Sequence, residues 1–148
     1  LRLAVERHAT SKLVVGVNGD VDLHNIATLG FRGEALPSIG AVARLDILSR
    51  RAGDPEGALL SVHGGIAEGP APAAFAGSGT RVTVNDLFYA TPARLKFLKS
   101  ERSEFAAAAD AVRRLAMAHS EIGFSLTSDG RRVFSLAPEG PGAAGRLR

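Results

Sequence analysis

The chain has 148 residues, of which 45% are hydrophobic and 22% charged, an ordinary globular composition that excludes a disordered or fibrous protein. It has no cysteine, so a disulfide framework, a thiolate metal site and a cysteine nucleophile are excluded. The net charge is +3, and all basic residues except Lys12, Lys96 and Lys99 are arginine. His8, His24, His63 and His119 show no ligand spacing such as HxxxH, which argues against zinc. No apolar run approaches the roughly 18 residues of a membrane span. The first residues do not resemble a signal peptide, so a cytoplasmic location and no membrane partner are expected.

In chain order, residues 2–9 read as a helix end. Val14 to Val17 is apolar and β-branched, and Asn18-Gly19-Asp20 marks a turn. Asp22 caps a short helix through Leu29, with Leu23, Ile26 and Ala27 on one face. Gly30-Phe31-Arg32-Gly33 interrupts it. Glu34 to Ala43 then reads as helix, with Pro37 in the first turn, where a missing N–H costs little. Arg44 to Arg50 alternates with period two and predicts a strand with Leu45 and Ile47 inward. A loop over 51–57 leads to a second strand, Ala58 to His63. Residues 64–79, rich in glycine and proline, fit either a hairpin with an edge strand or a mobile surface loop.

Thr80 to Leu87 has the clearest strand alternation, and a helical segment follows Thr91-Pro92. Glu101 to His119 is the best helix, with Phe105, Ala109, Val112, Ala116 and His119 on one face. Ile122–Leu126 and Val133–Leu136 flank Ser128-Asp129-Gly130, a hairpin signal. Pro138 to Gly145 has linker composition. Strands and helices come in runs, which predicts an α+β fold: a two-layer sandwich with one mixed, mostly antiparallel sheet and helices on one face. No internal repeat is visible.

Three segments carry chemistry. Gly30 to Ile39 (GFRGEALPSI) places two glycines and Arg32 before a helix start. Exposed amides at the positive end of a helix dipole can bind an anion, although two glycines at such a junction also make a plain turn. It is neither a P-loop nor a GxGxxG fingerprint. His8 to Lys12 (HATSK) offers two hydroxyls and an ammonium, suited to a phosphate or to helix capping. Gly79 to Arg94 runs from a strand into a proline-started helix. There Leu87, Phe88 and Tyr89 are expected in the core, with Thr91 as N-cap and Pro92 at N1. No GxSxG elbow supports a nucleophile. The arginine clusters fit either a phosphate-backbone surface for nucleic acid or an ordinary solvated surface.

In this order HATSK, GFRGEALPSI and GT followed by DLFYxTPARLKFL resemble the MutL family of DNA mismatch-repair proteins, within the gyrase, Hsp90, histidine kinase and MutL class of ATPases. The resemblance runs over nearly the whole chain. It implies a Bergerat-type α/β sandwich that binds ATP with magnesium. Family contacts to nucleotide fall on Thr10, Ser11 and Lys12 and on Arg32, Gly33, Glu34, Ala35 and Leu36, the latter in a lid that orders over the triphosphate. Thr80 would sit near the adenine. The resemblance further implies DNA, a mismatch-recognition protein of the MutS type and a repair helicase or nuclease as partners, and a homodimer formed through ATP-bound domains.

The family's general base, magnesium-holding asparagine and adenine-reading aspartate are expected upstream of Leu1, so no catalytic or metal-ligating residue is assigned here. Residues 1–137 are expected to be part of one ATPase domain and 138–148 a linker. A part of this kind would leave a sheet edge uncovered and be poorly stable alone. Two departures stand out: the segment between Lys12 and Gly30 is longer than usual, and Ala90 replaces an asparagine. Two other readings are a non-catalytic fragment that binds DNA or a partner, and a gyrase-like or chaperone-like ATPase. DLFYxTPAR argues against the last.

Overall fold

The computed structural model describes residues 1–13, 26, 28 and 30–140. The expected strand at Val14–Val17, the turn at Asn18–Asp20 and most of the helix between Asp22 and Leu29 lie outside the described residues. Two compact units divide the chain, Leu1–Phe97 and Leu98–Arg148.

The first unit opens on a single 3-10 turn, Arg2–Val5, shorter than the helix end expected over residues 2–9. Helix α1 spans Ala35–Val42. Its first intrahelical bond runs from Ser38 N to Glu34 O at 3.0 Å. Pro37, without an N–H, sits buried in the first turn, where that donor has no intrahelical acceptor. The helix stops when Ala43 turns extended (φ −135°), and strand β1 begins at once.

Four strands follow: β1 (Arg44–Arg50), β2 (Gly57–His63), β3 (Ile66–Ala73) and β4 (Gly79–Asn85), in the spatial order β3-β2-β1-β4. Every pairing among the described residues is antiparallel. Leu45 faces Val62 and Ile47 faces Leu60 across β1 and β2. Those four side chains are at most 4% exposed. Val5, Leu36, Ile39 and Ala67 pack against Leu45, Ile47 and Val62. The alternation in β1 therefore marks the inward face as expected. A Cβ on Gly40 would lie 2.6 Å from Val62 Cγ1, so only glycine lets α1 approach β2 this closely.

On the other side of β1, Leu45 pairs with Val84 and Ile47 with Val82. Both valines are more than two-fifths exposed. Among the described residues of the first unit β4 is an outer strand, and α1 packs over β1 and β2, not over the valines of β4. Residues 64–79 contain an edge strand and hairpin. Gly64 and Gly65 make the turn with positive φ (58° and 88°). Gly69 (φ 93°) lies at the irregular β2–β3 pairing, where a Cβ would meet Leu59 O at 2.7 Å. The glycines that obscure the strand in the sequence are those its turn and bulge require.

Short helix α2 (Pro92–Leu95) ends the first unit's elements, with proline in its first turn as expected. The second unit holds α3 (Glu101–Ala118) and the hairpin β5 (Phe124–Ser128) and β6 (Arg131–Leu136). Ser100 caps α3 by accepting from Ser103 N at 3.4 Å, and Glu104 Oε1 accepts from Lys99 N at 2.9 Å. Ala109 and Ala116 are buried, and Phe105, Val112 and His119 are half-buried, the face read from the sequence. The turn residues Asp129 and Gly130 take positive φ (48° and 74°). The α+β class holds, but β5 and β6 pair only with each other, so the expected single mixed sheet is two antiparallel sheets among the described residues.

Candidate functional site

Two of the three chemical segments form one cavity. It measures about 490 Å³, and its walls are residues 9–12 and 30–36, with Ala4. Thr10, Ser11, Lys12, Arg32, Gly33, Glu34, Ala35 and Leu36 all line it. The resemblance to the MutL family implies nucleotide contacts at these eight, from two stretches twenty residues apart.

The local chain explains the convergence. Gly33 has φ 63°, a left-handed conformation favoured by glycine. A Cβ there would lie 2.7 Å from the Ala9 carbonyl carbon and 2.9 Å from Ala9 N. The two walls thus touch backbone to backbone. Gly33 and Glu34 lead directly into α1, whose N-terminus has no side-chain cap. The early amides of α1, those of Ala35 and Leu36, have no intrahelical acceptor. A helix start adds about half a positive charge. Exposed Lys12 and Arg32 bring two full positive charges to the same cavity. The arrangement can hold an anion with several oxygens, since charge-assisted bonds to such oxygens are the stronger kind.

Within the walls, Lys12 N donates to Thr10 Oγ1 at 3.2 Å, which shapes the TSK turn. Arg32 lies 5.4 Å over the Phe31 ring. Glu34, the one carboxylate among the lining residues, is 3.5 Å from His8 Nδ1. The contact of His8 with Glu34 and of Ala9 with Gly33 was not read from the sequence. The pair of glycines around Arg32 was its only signal.

Thr80 does not line this cavity. It lies on β4, with Oγ1 2.8 Å from Ser49 Oγ, and Ser49 Oγ also donates to Gly79 O at 3.2 Å.

The third segment corrects an expectation. Leu87 and Tyr89 are 43% and 38% exposed, so LFY does not form core. Asp86 and Phe88 take positive φ (51° and 68°), a tight turn that swings these side chains outward. Arg44 holds the turn: its Nε is 3.0 Å from Asp86 Oδ2, and its guanidinium lies 4.6 Å over the Tyr89 ring. Thr91 sits before α2 as expected, but makes no capping bond, and its Oγ1 is buried without a partner.

Among the described residues no nucleophile emerges elsewhere. Ser61 Oγ donates to Asp46 Oδ1 at 2.5 Å, and His63 Nε2 lies 3.4 Å from the same oxygen. Serine and histidine compete for one carboxylate, so the histidine is not placed as a base for the serine. A larger groove of about 630 Å³ is lined by Arg50, Pro55, Glu56 and residues 72–76. It holds none of the motif residues.

The antiparallel sheet covered by a helix matches the fold of ATPase domains of the MutL type. The Aquifex aeolicus MutL ATPase domain complexed with ADP superposes with a TM-score of 0.68 at 34% identity, covering 72% of this chain and 44% of that one. The N-terminal domain of a DNA repair protein superposes with a TM-score of 0.61 at 28% identity over 74% of this chain and 34% of that one. The DNA mismatch repair protein MutL of Caulobacter vibrioides is 57% identical over 148 residues, 99% of this chain and 23% of its own. That of Bradyrhizobium diazoefficiens is 59% identical over 147 residues, again 99% of this chain and 23% of its own. No protein-family model matches the chain. The chain belongs to the MutL family, and it spans about a quarter of the length of these relatives.

Proposed function

We propose that this chain carries the phosphate-contacting part of a MutL ATPase site in a DNA mismatch-repair protein. The observation that carries this reading is the cavity where Thr10–Lys12 meets the N-terminus of α1. Lys12 and Arg32 neutralise phosphate charge, the amides of Gly33 to Leu36 donate to phosphate oxygens, and the Thr10 and Ser11 hydroxyls add hydrogen bonds. Arg32 to Leu36 belong to a lid that orders over the triphosphate. The ATPase relative bound to ADP shares this fold. Thr80 serves the adenine end.

Magnesium accompanies the nucleotide in this reading, but the residues here do not fit it. Among the described residues no group of three His, Cys, Asp or Glu could hold a metal ion. The chain's own contribution is therefore binding and orientation of phosphate, and no step runs through the metal.

The test is an ADP titration of a full-length MutL bearing this segment, with Lys12→Ala beside it. Loss of one charge-assisted contact, about 1.5–3 kcal/mol, weakens binding by roughly 10- to 150-fold. Equal affinity of the two proteins would remove Lys12 from the site.

In the same reading, lid ordering drives dimerisation of two ATPase domains, and a basic surface binds DNA. A MutS-type protein and a repair helicase or nuclease are the protein partners, and the place of action is the nucleoid. Among the described residues no helix is long and apolar enough to cross a membrane. For DNA binding, log K falls linearly with log salt when arginines displace counterions. A slope of zero would remove the electrostatic surface from the account.

A further inference from the structure

We propose that His8 is a positioning residue for the nucleotide site and acts through its backbone, not its imidazole. The inference rests on the nucleotide reading above and concerns what holds the two walls together. His8 has φ 66°, one of four non-glycine residues with positive φ among the described residues. It precedes Ala9, whose backbone occupies the space a Cβ on Gly33 would need. Gly33 is also left-handed, at φ 63°. Two left-handed residues, His8 just before one wall and Gly33 within the other, thus bring the backbones of Ala9 and Gly33 into contact. Thr10, Ser11 and Lys12 continue directly from Ala9, so the turn at His8 delivers them to the N-terminus of α1.

The ring contributes little by comparison. His8 Nδ1 lies 3.5 Å from Glu34 Oε1, but the histidine side chain is 78% exposed and the glutamate 46%. An ion pair so exposed is screened by water. Residue type supports the backbone role. The left-handed region is open to glycine and tolerated by Asn, Asp and His, but a β-branched residue is strained there.

Four variants in a full-length MutL bearing this segment test this, each titrated with ADP. His8→Gly removes the ring and keeps the turn, and His8→Asn keeps a residue that tolerates it. Both retain wild-type affinity within about twofold. His8→Val opposes the turn and weakens ADP binding about tenfold or more. Asp129→Val places the same strain in the β5–β6 turn, where φ is 48°, and leaves ADP affinity unchanged. Loss of affinity in His8→Gly equal to that in His8→Val would assign the role to the ring and overturn the proposal, as would wild-type binding by His8→Val. A His8→Val protein that fails to fold leaves His8→Gly to decide. Should the parent protein bind no ADP, the nucleotide reading falls and this inference with it. Should Lys12→Ala weaken binding while His8→Val does not, only this inference falls.

Discussion

Gly33→Ala will nearly abolish nucleotide binding in a full-length MutL bearing this segment, although the change adds one methyl group. The methyl must enter space held by the Ala9 backbone, with the Ala9 carbonyl carbon at 2.7 Å and N at 2.9 Å. Both neighbours are backbone, so neither can yield by rotating a side chain. The left-handed φ of 63° adds strain of its own. Strain of about 1–3 kcal/mol before any clash gives a loss of roughly 30-fold or more once the walls part. Isothermal titration with ADP reads the effect. Gly30→Ala is the control, because a Cβ there meets nothing within 4 Å. Equal losses in both variants would show general sensitivity of the loop, and no loss in Gly33→Ala would contradict the geometry.

The largest effect on stability is expected at Leu45. It and Leu60 are the largest fully buried side chains, each 0% exposed. Leu45 joins three layers of contact: Val62 on β2, Val84 on β4, and α1 above. Leu45→Ala will cost about 2–5 kcal/mol, because it loses both transfer energy and packing around the cavity left behind. Small domains hold only about 5–15 kcal/mol in total, so the first unit will unfold at far lower urea. Leu48→Ala, on the half-buried opposite face of β1, will cost less. Urea unfolding of the 148-residue chain, followed by far-UV circular dichroism, separates the two. Equal midpoints would mean that the core does not lie between α1 and β1.

Much of the fold was legible because its signals are local. β1 shows period two since one face is covered by α1, and α3 shows one apolar face ending at His119. The residues proposed to face phosphate were legible through two motifs, and the structure brings eight of the nine assigned positions to one cavity. What the sequence did not disclose depends on distant partners. The outward turn of Leu87 and Tyr89 follows from positive φ at Asp86 and Phe88 and from Arg44, 42 residues before Asp86 in the chain. Apolar character alone reads as core in such a turn. The open valines of β4 alternate like buried ones, because alternation reports a face and not what covers it. The junction of Ala9 with Gly33 is a backbone contact, and side-chain pattern carries no record of it.

The central claim is that residues 10–12 and 32–36 together face the phosphates of a bound nucleotide. Amide hydrogen exchange of a full-length MutL bearing this segment, with and without saturating ADP, tests it most directly. ADP is expected to slow exchange in both stretches together, with Gly33 to Leu36 protected beside Ser11 and Lys12. Protection of neither stretch while ADP is bound would place the nucleotide elsewhere and contradict the account.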